Sequence, residues 1–114
     1  MKPPRNGTGQ VDQRRHYRKK IRVVARYGLA GRECLGHILD ICPQGIRLEV
    51  GERHEKGELM KLRFQLSPGH GPFEVLGKIV YAQQRKPSGS WCLGIRFHGL
   101  GHAEEKAIAF YMFN

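Results

Sequence analysis

The chain has 114 residues, 39% hydrophobic and 26% charged, and its 20 Lys and Arg against 10 Asp and Glu give a formal charge of +10. That length holds one domain with one ordinary core, and the composition excludes the disordered, collagenous and membrane-spanning classes. No apolar run approaches the roughly 20 residues of a membrane helix, and Met1-Lys2-Pro3-Pro4-Arg5 leads into no apolar signal region, so a cytoplasmic protein without stable membrane insertion is expected.

Residues 1–13 are rich in Pro, Gly, Asn, Thr and Gln and are expected to form a flexible basic arm ahead of a folded domain over residues 14–114. From Ile21 the pattern alternates: Ile21, Val23, Ala25 and Tyr27 stand between Arg22, Val24 and Arg26, which predicts a strand with one face inward. Gly28 and Gly31 bracket a turn, Glu33 to Asp40 can form a second strand, and Ile46, Leu48 and Val50 mark a third after Cys42-Pro43-Gln44-Gly45. Met60, Leu62, Phe64 and Leu66 predict a fourth, closed by a Pro- and Gly-dense turn. Phe73 to Gln83 reads as a fifth strand bent at Gly77, because a glycine inside a strand often marks a bulge. Trp91, Leu93, Ile95 and Phe97 predict a sixth, and Trp91, Phe64, Phe97 and Ile79 are expected in the core. Over His102 to Phe113 the period changes to helical, with Ala103, Ala107, Phe110 and Tyr111 as the inward stripe and Glu104 and Glu105 favourably placed in the first turn. The expected fold is therefore all-β, a six-stranded antiparallel barrel with a C-terminal α-helix.

Nine of the 20 basic residues but only one of the 10 acidic ones fall in residues 1–26. A basic block at one end points to an anionic partner, although charge alone does not separate nucleic acid, nucleotide, acidic protein and anionic lipid, and a solvated arm would look the same. Cys34, Cys42 and Cys92 are odd in number and form no C-x-x-C pair, and the six histidines are scattered, so neither disulfides nor a metal site are expected. No Ser, His and Asp grouping, no paired carboxylates beyond Glu104 and Glu105 and no P-loop argue for an enzyme.

Two local features carry chemistry. One is Arg14-Arg15-His16-Tyr17-Arg18 where the arm meets the first strand, and the other is Asp40-Ile41-Cys42-Pro43-Gln44-Gly45 between strands two and three. An R-x-x-x-R spacing occurs three times, at Arg14/Arg18, Arg18/Arg22 and Arg22/Arg26. The last pair lies within an alternating strand, whereas Arg14 and Arg18 flank its entrance, where long side chains can fold over a ligand. A guanidinium offers a bidentate fork to phosphate or to a planar acceptor edge, a carboxylate accepts from N–H donors, and a glycine admits close backbone approach or a positive φ. Asp40 and Gly45 alone also fit a simple Asx-type turn.

Together these motifs resemble the PilZ family, whose pattern is R-x-x-x-R followed by [DN]-x-[SA]-x-x-G. Leu93-Gly94-Ile95-Arg96-Phe97, Gly77-Lys78-Ile79-Val80 and the terminal helix extend the resemblance along the chain. The resemblance implies a non-enzymatic receptor for the bacterial second messenger cyclic di-GMP, with no further cofactor. Its site would be Arg14, Arg15, Arg18, Asp40, Cys42 and Gly45, its arm would rearrange on binding, and a downstream protein partner would control motility, polysaccharide secretion or biofilm formation. Cys42 departs from the family's Ser or Ala, and a thiol is the weaker hydrogen-bond partner. The competing expectation is a small basic barrel for single-stranded nucleic acid, with Tyr17 and Tyr27 as the aromatics nearest the basic block.

Overall fold

The computed structural model describes residues 17–29, 31–69 and 72–113. The expected arm, with Arg14 and Arg15, lies outside them. Six strands follow in chain order: β1 (Lys19–Leu29), β2 (Arg32–Cys42), β3 (Gly45–Val50), β4 (Leu59–Phe64), β5 (Phe73–Gln84) and β6 (Trp91–His98), and then one helix, α1 (His102–Phe113). Every pairing is antiparallel, and the spatial order β1-β2-β3-β6-β5-β4 closes into a barrel because β1 pairs with both β2 and β4. The closing pair, β1 with β4, meets over Ala25–Gly28, so the two outer strands of the sheet cover each other there.

Period-two alternation builds the core. In β4, Met60, Leu62 and Phe64 are buried while Leu59, Lys61 and Arg63 face outward. An inner rung of directly paired isoleucines, Ile41, Ile46, Ile95 and Ile79, runs across β2, β3, β6 and β5, and all four are buried. Branched side chains suit such a half-buried pleated surface. Phe64 and Ile79 are core residues as expected, whereas Trp91 and Phe97 are only half-buried, near the two ends of β6.

Two expectations are corrected. The irregularity in β5 lies between Ile79 and Tyr81, not at Gly77. Gly77 serves packing instead, since a Cβ there would stand 2.4 Å from Ile95 Cγ2. In α1 the inward residues are Ile108 and Met112, flanked by half-buried Ala107 and Tyr111, while Ala103 and Phe110 are exposed. The second half of the helix, Ala107–Phe113, is apolar all round, so its sequence left the stripe ambiguous by one residue. Ile108→Ala is expected to cost about 2–4 kcal/mol by opening a core cavity, and Phe110→Ala less than about 1 kcal/mol; thermal or urea melts of the two variants measure this directly.

Candidate functional site

Beyond the inner isoleucine rung lies an outward one. Lys20 pairs with Asp40, Asp40 with Arg47, Arg47 with Gly94, and Gly94 with Tyr81, so a single line of neighbours crosses β1, β2, β3, β6 and β5. Directly paired residues project to the same face of a sheet. Basic, acidic and aromatic side chains far apart in sequence thus meet over one patch of barrel wall, beside a cleft of about 850 Å³.

Asp40 is its electrostatic centre. Its side chain is 4% exposed, and Arg18 Nε donates to Oδ1 at 2.7 Å while Arg47 Nε donates to Oδ2 at 2.5 Å. A carboxylate withdrawn from water this far is stable as an anion only when opposite charges and hydrogen bonds replace its hydration. The two guanidiniums do this and keep contact with solvent themselves. Hydrogen bonding to Asp40 raises the Arg47 pKa above its ordinary value against an opposing effect of burial, so that side chain is a permanent cation.

Arg18 precedes β1 and also reaches Cys42, its Nη1 lying 3.0 Å from Sγ. Its neighbours turn the other way: Lys19 Nζ donates to the Tyr111 carbonyl at 3.0 Å, and the Tyr17 ring lies 5.8 Å from that of Phe113. The entrance to β1 is therefore anchored on both β2 and α1. Arg22 and Arg26 are exposed on the outer face of β1 and do not line the cleft, so among the described arginines of the repeated R-x-x-x-R spacing Arg18 alone contacts Asp40.

Gly45 lies in the same cleft, but its reason is packing. Cys42 pairs with Gly45 across a two-residue turn containing Pro43, and a Cβ on Gly45 would fall 1.9 Å from the carbonyl oxygen of Ile95. Of the two roles open to this glycine, close backbone approach is the one present, against β6, and its φ is not positive.

Arg18, Asp40, Cys42 and Gly45 are thus brought together, and four residues that sequence reasoning missed join them: Lys20, Arg47, Tyr81 and Arg96. The Tyr81 ring fills the space a side chain at position 94 would need, within 2.1 Å of where its Cβ would stand. Burial raises the Tyr81 phenol pKa, Cys92 adding to the effect and Arg47 opposing it, so the group is a neutral donor at physiological pH. Gly94 was the available signal, since a glycine inside a strand often marks close approach of another group. Four cations, one fixed carboxylate and one aromatic ring suit a planar, anionic ligand that carries its own N–H edge. Among the described residues, no group of three or more His, Cys, Asp or Glu could hold a metal ion.

The chain spans 85% of its length in superposition with the PilZ domain of YcgR from Escherichia coli, solved with c-di-GMP (TM-score 0.72, 12% identity, 86% of that chain). Inhibitor of motility MotI/DgrA from Bacillus subtilis superposes with a TM-score of 0.74 at 13% identity, over 83% of this chain and 47% of that one. MrkH of K. pneumonia gives 0.73 at 15% identity, over 86% and 47%. The chain therefore spans about half the length of the latter two, and at these identities the likeness is one of fold. No curated protein matches the chain in sequence. The family model described as PilZ domain, however, matches residues 12–114, which takes in the barrel, the helix and both motif regions, and the chain belongs to the PilZ domain family.

Proposed function

We propose that this chain is a non-enzymatic receptor for cyclic di-GMP and that the ligand binds in the cleft around Asp40. The observation that carries this reading is the buried carboxylate held between Arg18 and Arg47 on a cleft wall that also bears Lys20, Arg96 and Tyr81. Asp40 accepts from the N1 and N2 hydrogens of a guanine, the guanidiniums engage O6 and N7 or the phosphates, and the Tyr81 ring offers a stacking surface. Arg14 and Arg15 add further donors from the segment ahead of β1. On binding that segment changes its arrangement, and the newly formed surface engages a downstream protein. The neighbouring structure of a PilZ domain with c-di-GMP supports the ligand class.

The nucleic-acid alternative loses one of its two aromatics, because Tyr27 is 2% exposed and packs edge-on against His54 inside the barrel. No helix among the described residues is long and apolar enough to cross a membrane.

Calorimetric titration with cyclic di-GMP is expected to give saturable binding, with GMP and a single-stranded oligonucleotide far weaker. Oligonucleotide binding tighter than that of the dinucleotide would reverse the assignment. Cys42→Ser is expected to bind as tightly as wild type or up to roughly fivefold tighter, because a hydroxyl is the better partner for Arg18 by about 1 kcal/mol. A large loss in the same titration would mean that the thiol itself is needed.

A further inference from the structure

A second recess lies on the outer face of β1, β4 and β5. Gly28 of β1 stands there directly opposite Glu33 of β2 and Lys61 of β4 and contributes no side chain. The resulting groove, about 330 Å³, is walled by three cations, Arg26, Lys61 and Arg63, by two carboxylates, Glu33 and Glu74, and by Leu76, and it shares no residue with the Asp40 cleft.

Its charges are unusual for a plain solvated face. Arg26 and Arg63 are directly opposite one another across β1 and β4, an arrangement that destabilises a sheet unless something neutralises it. Among the described residues each has a long, exposed ion pair, Arg26 at 3.5 Å to Glu33 and Arg63 at 3.9 Å to Glu74, its direct partner on β5. Of the exposed apolar side chains on this face, Leu76, 42% exposed, lines the groove itself, while Leu35, 63% exposed, and Leu59, 50% exposed, flank it as the direct cross-strand partners of Arg26 and Lys78.

We propose that this groove docks an acidic, leucine-bearing segment of a protein partner on a preformed face of the barrel, apart from the surface that ligand binding would create. Carboxylates on that segment neutralise the facing arginines while its apolar side chains cover Leu76 and its neighbours. A nucleic acid would meet the charge but not the leucines. The outward residues of β1 and β4, with Glu74, Leu76 and Lys78 of β5, include no Phe, Tyr or Trp on which bases could stack.

The test uses fluorescence anisotropy of a labelled synthetic peptide, about twelve residues long, in which Asp and Glu alternate with Leu. Saturable binding is expected, weakened at least roughly tenfold by Gly28→Val and lost in Arg26→Glu with Arg63→Glu. Gly28→Val is the deciding variant. It leaves net charge unchanged, and it is expected to fold because a Cβ at 28 meets only ordinary contacts, 3.7 Å to the Arg32 carbonyl oxygen and 3.9 Å to Lys61 Cβ. Undiminished binding by Gly28→Val, absence of binding, or tighter binding of an oligothymidylate of equal charge would each overturn the proposal. Failure here is distinguishable from failure of the cyclic di-GMP reading: the groove variants are expected to leave the dinucleotide titration unchanged, and Asp40→Ala to leave peptide binding unchanged.

Discussion

Asp40→Ala is expected to lower the affinity for cyclic di-GMP by roughly 100-fold or more while leaving the barrel folded. A hydrogen bond to a charged group is worth about 1.5–3 kcal/mol, and the guanine edge offers two donors, so their loss removes about 3 kcal/mol, or two decades in Kd. The cost to stability is smaller. Removing one member of a buried ion pair is expensive, about 3–5 kcal/mol, when the charge left behind is itself buried. Here the survivors are Arg18 and Arg47, whose side chains are 37% and 41% exposed, so water can take over their hydrogen bonds. A melting curve beside the titration separates the two effects, and wild-type affinity in both Asp40→Ala and Arg18→Ala would remove the site assignment.

The same geometry gives Asp40 a second role. Arg18 places Nε on Asp40 and Nη1 near Cys42, so among the described residues these contacts use two of its five N–H donors. It can therefore engage a phosphate or a guanine without first leaving its carboxylate. Immobilising such a side chain during binding costs about 0.5–1.5 kcal/mol, and in this protein Asp40 has already fixed both guanidiniums within the fold. Its removal should consequently weaken contacts made by Arg18 and Arg47 as well as its own. Asp40→Asn, which retains one acceptor oxygen but no charge, is expected to fall between wild type and alanine.

The barrel was readable because alternation over Met60–Leu66 and Trp91–Phe97 is a local property, set by which face of each strand meets the core. Gly45 and Asp40 were readable because they fall in one short sequence motif spanning the end of β2 and the start of β3. Arg47, Tyr81 and Arg96 were not, although each lies in a correctly predicted strand: the cleft is assembled by register across five strands, and no local pattern records which residue of β5 lies opposite Gly94. The bulge between Ile79 and Tyr81, which brings Tyr81 into line with Gly94, is invisible for the same reason. The face of α1 failed differently, since an apolar stripe cannot be located on a helix that carries Ala103, Ala107, Ile108, Phe110, Tyr111 and Met112 around its circumference. Tyr27 was misjudged as a possible stacking residue even though its place in the β1 alternation puts it inside.

Gly45→Ala is expected to lower the thermal midpoint by roughly 15 °C or more, which corresponds to a loss of about 3 kcal/mol in a domain of this size. The obstruction is backbone: the new Cβ would lie 1.9 Å from the Ile95 carbonyl oxygen and 3.1 Å from the Arg96 Cα, and neither can turn aside as a flexible side chain would. β3 and β6 would have to separate where Gly45 pairs with Arg96 and where the Phe97 amide donates to the Gln44 carbonyl at 2.7 Å. Gly51→Ala is the matched control, because no atom lies within 4 Å of its Cβ position and its φ is not positive, and it should change stability by less than about 0.5 kcal/mol. The comparison also decides what the glycine of the D-x-x-x-x-G spacing is for. If Gly45→Ala melts like wild type yet loses cyclic di-GMP, the residue acts by admitting the ligand. If stability and binding fall together, it acts by letting two strands approach closely enough to set Asp40, Arg47 and Tyr81 in one line.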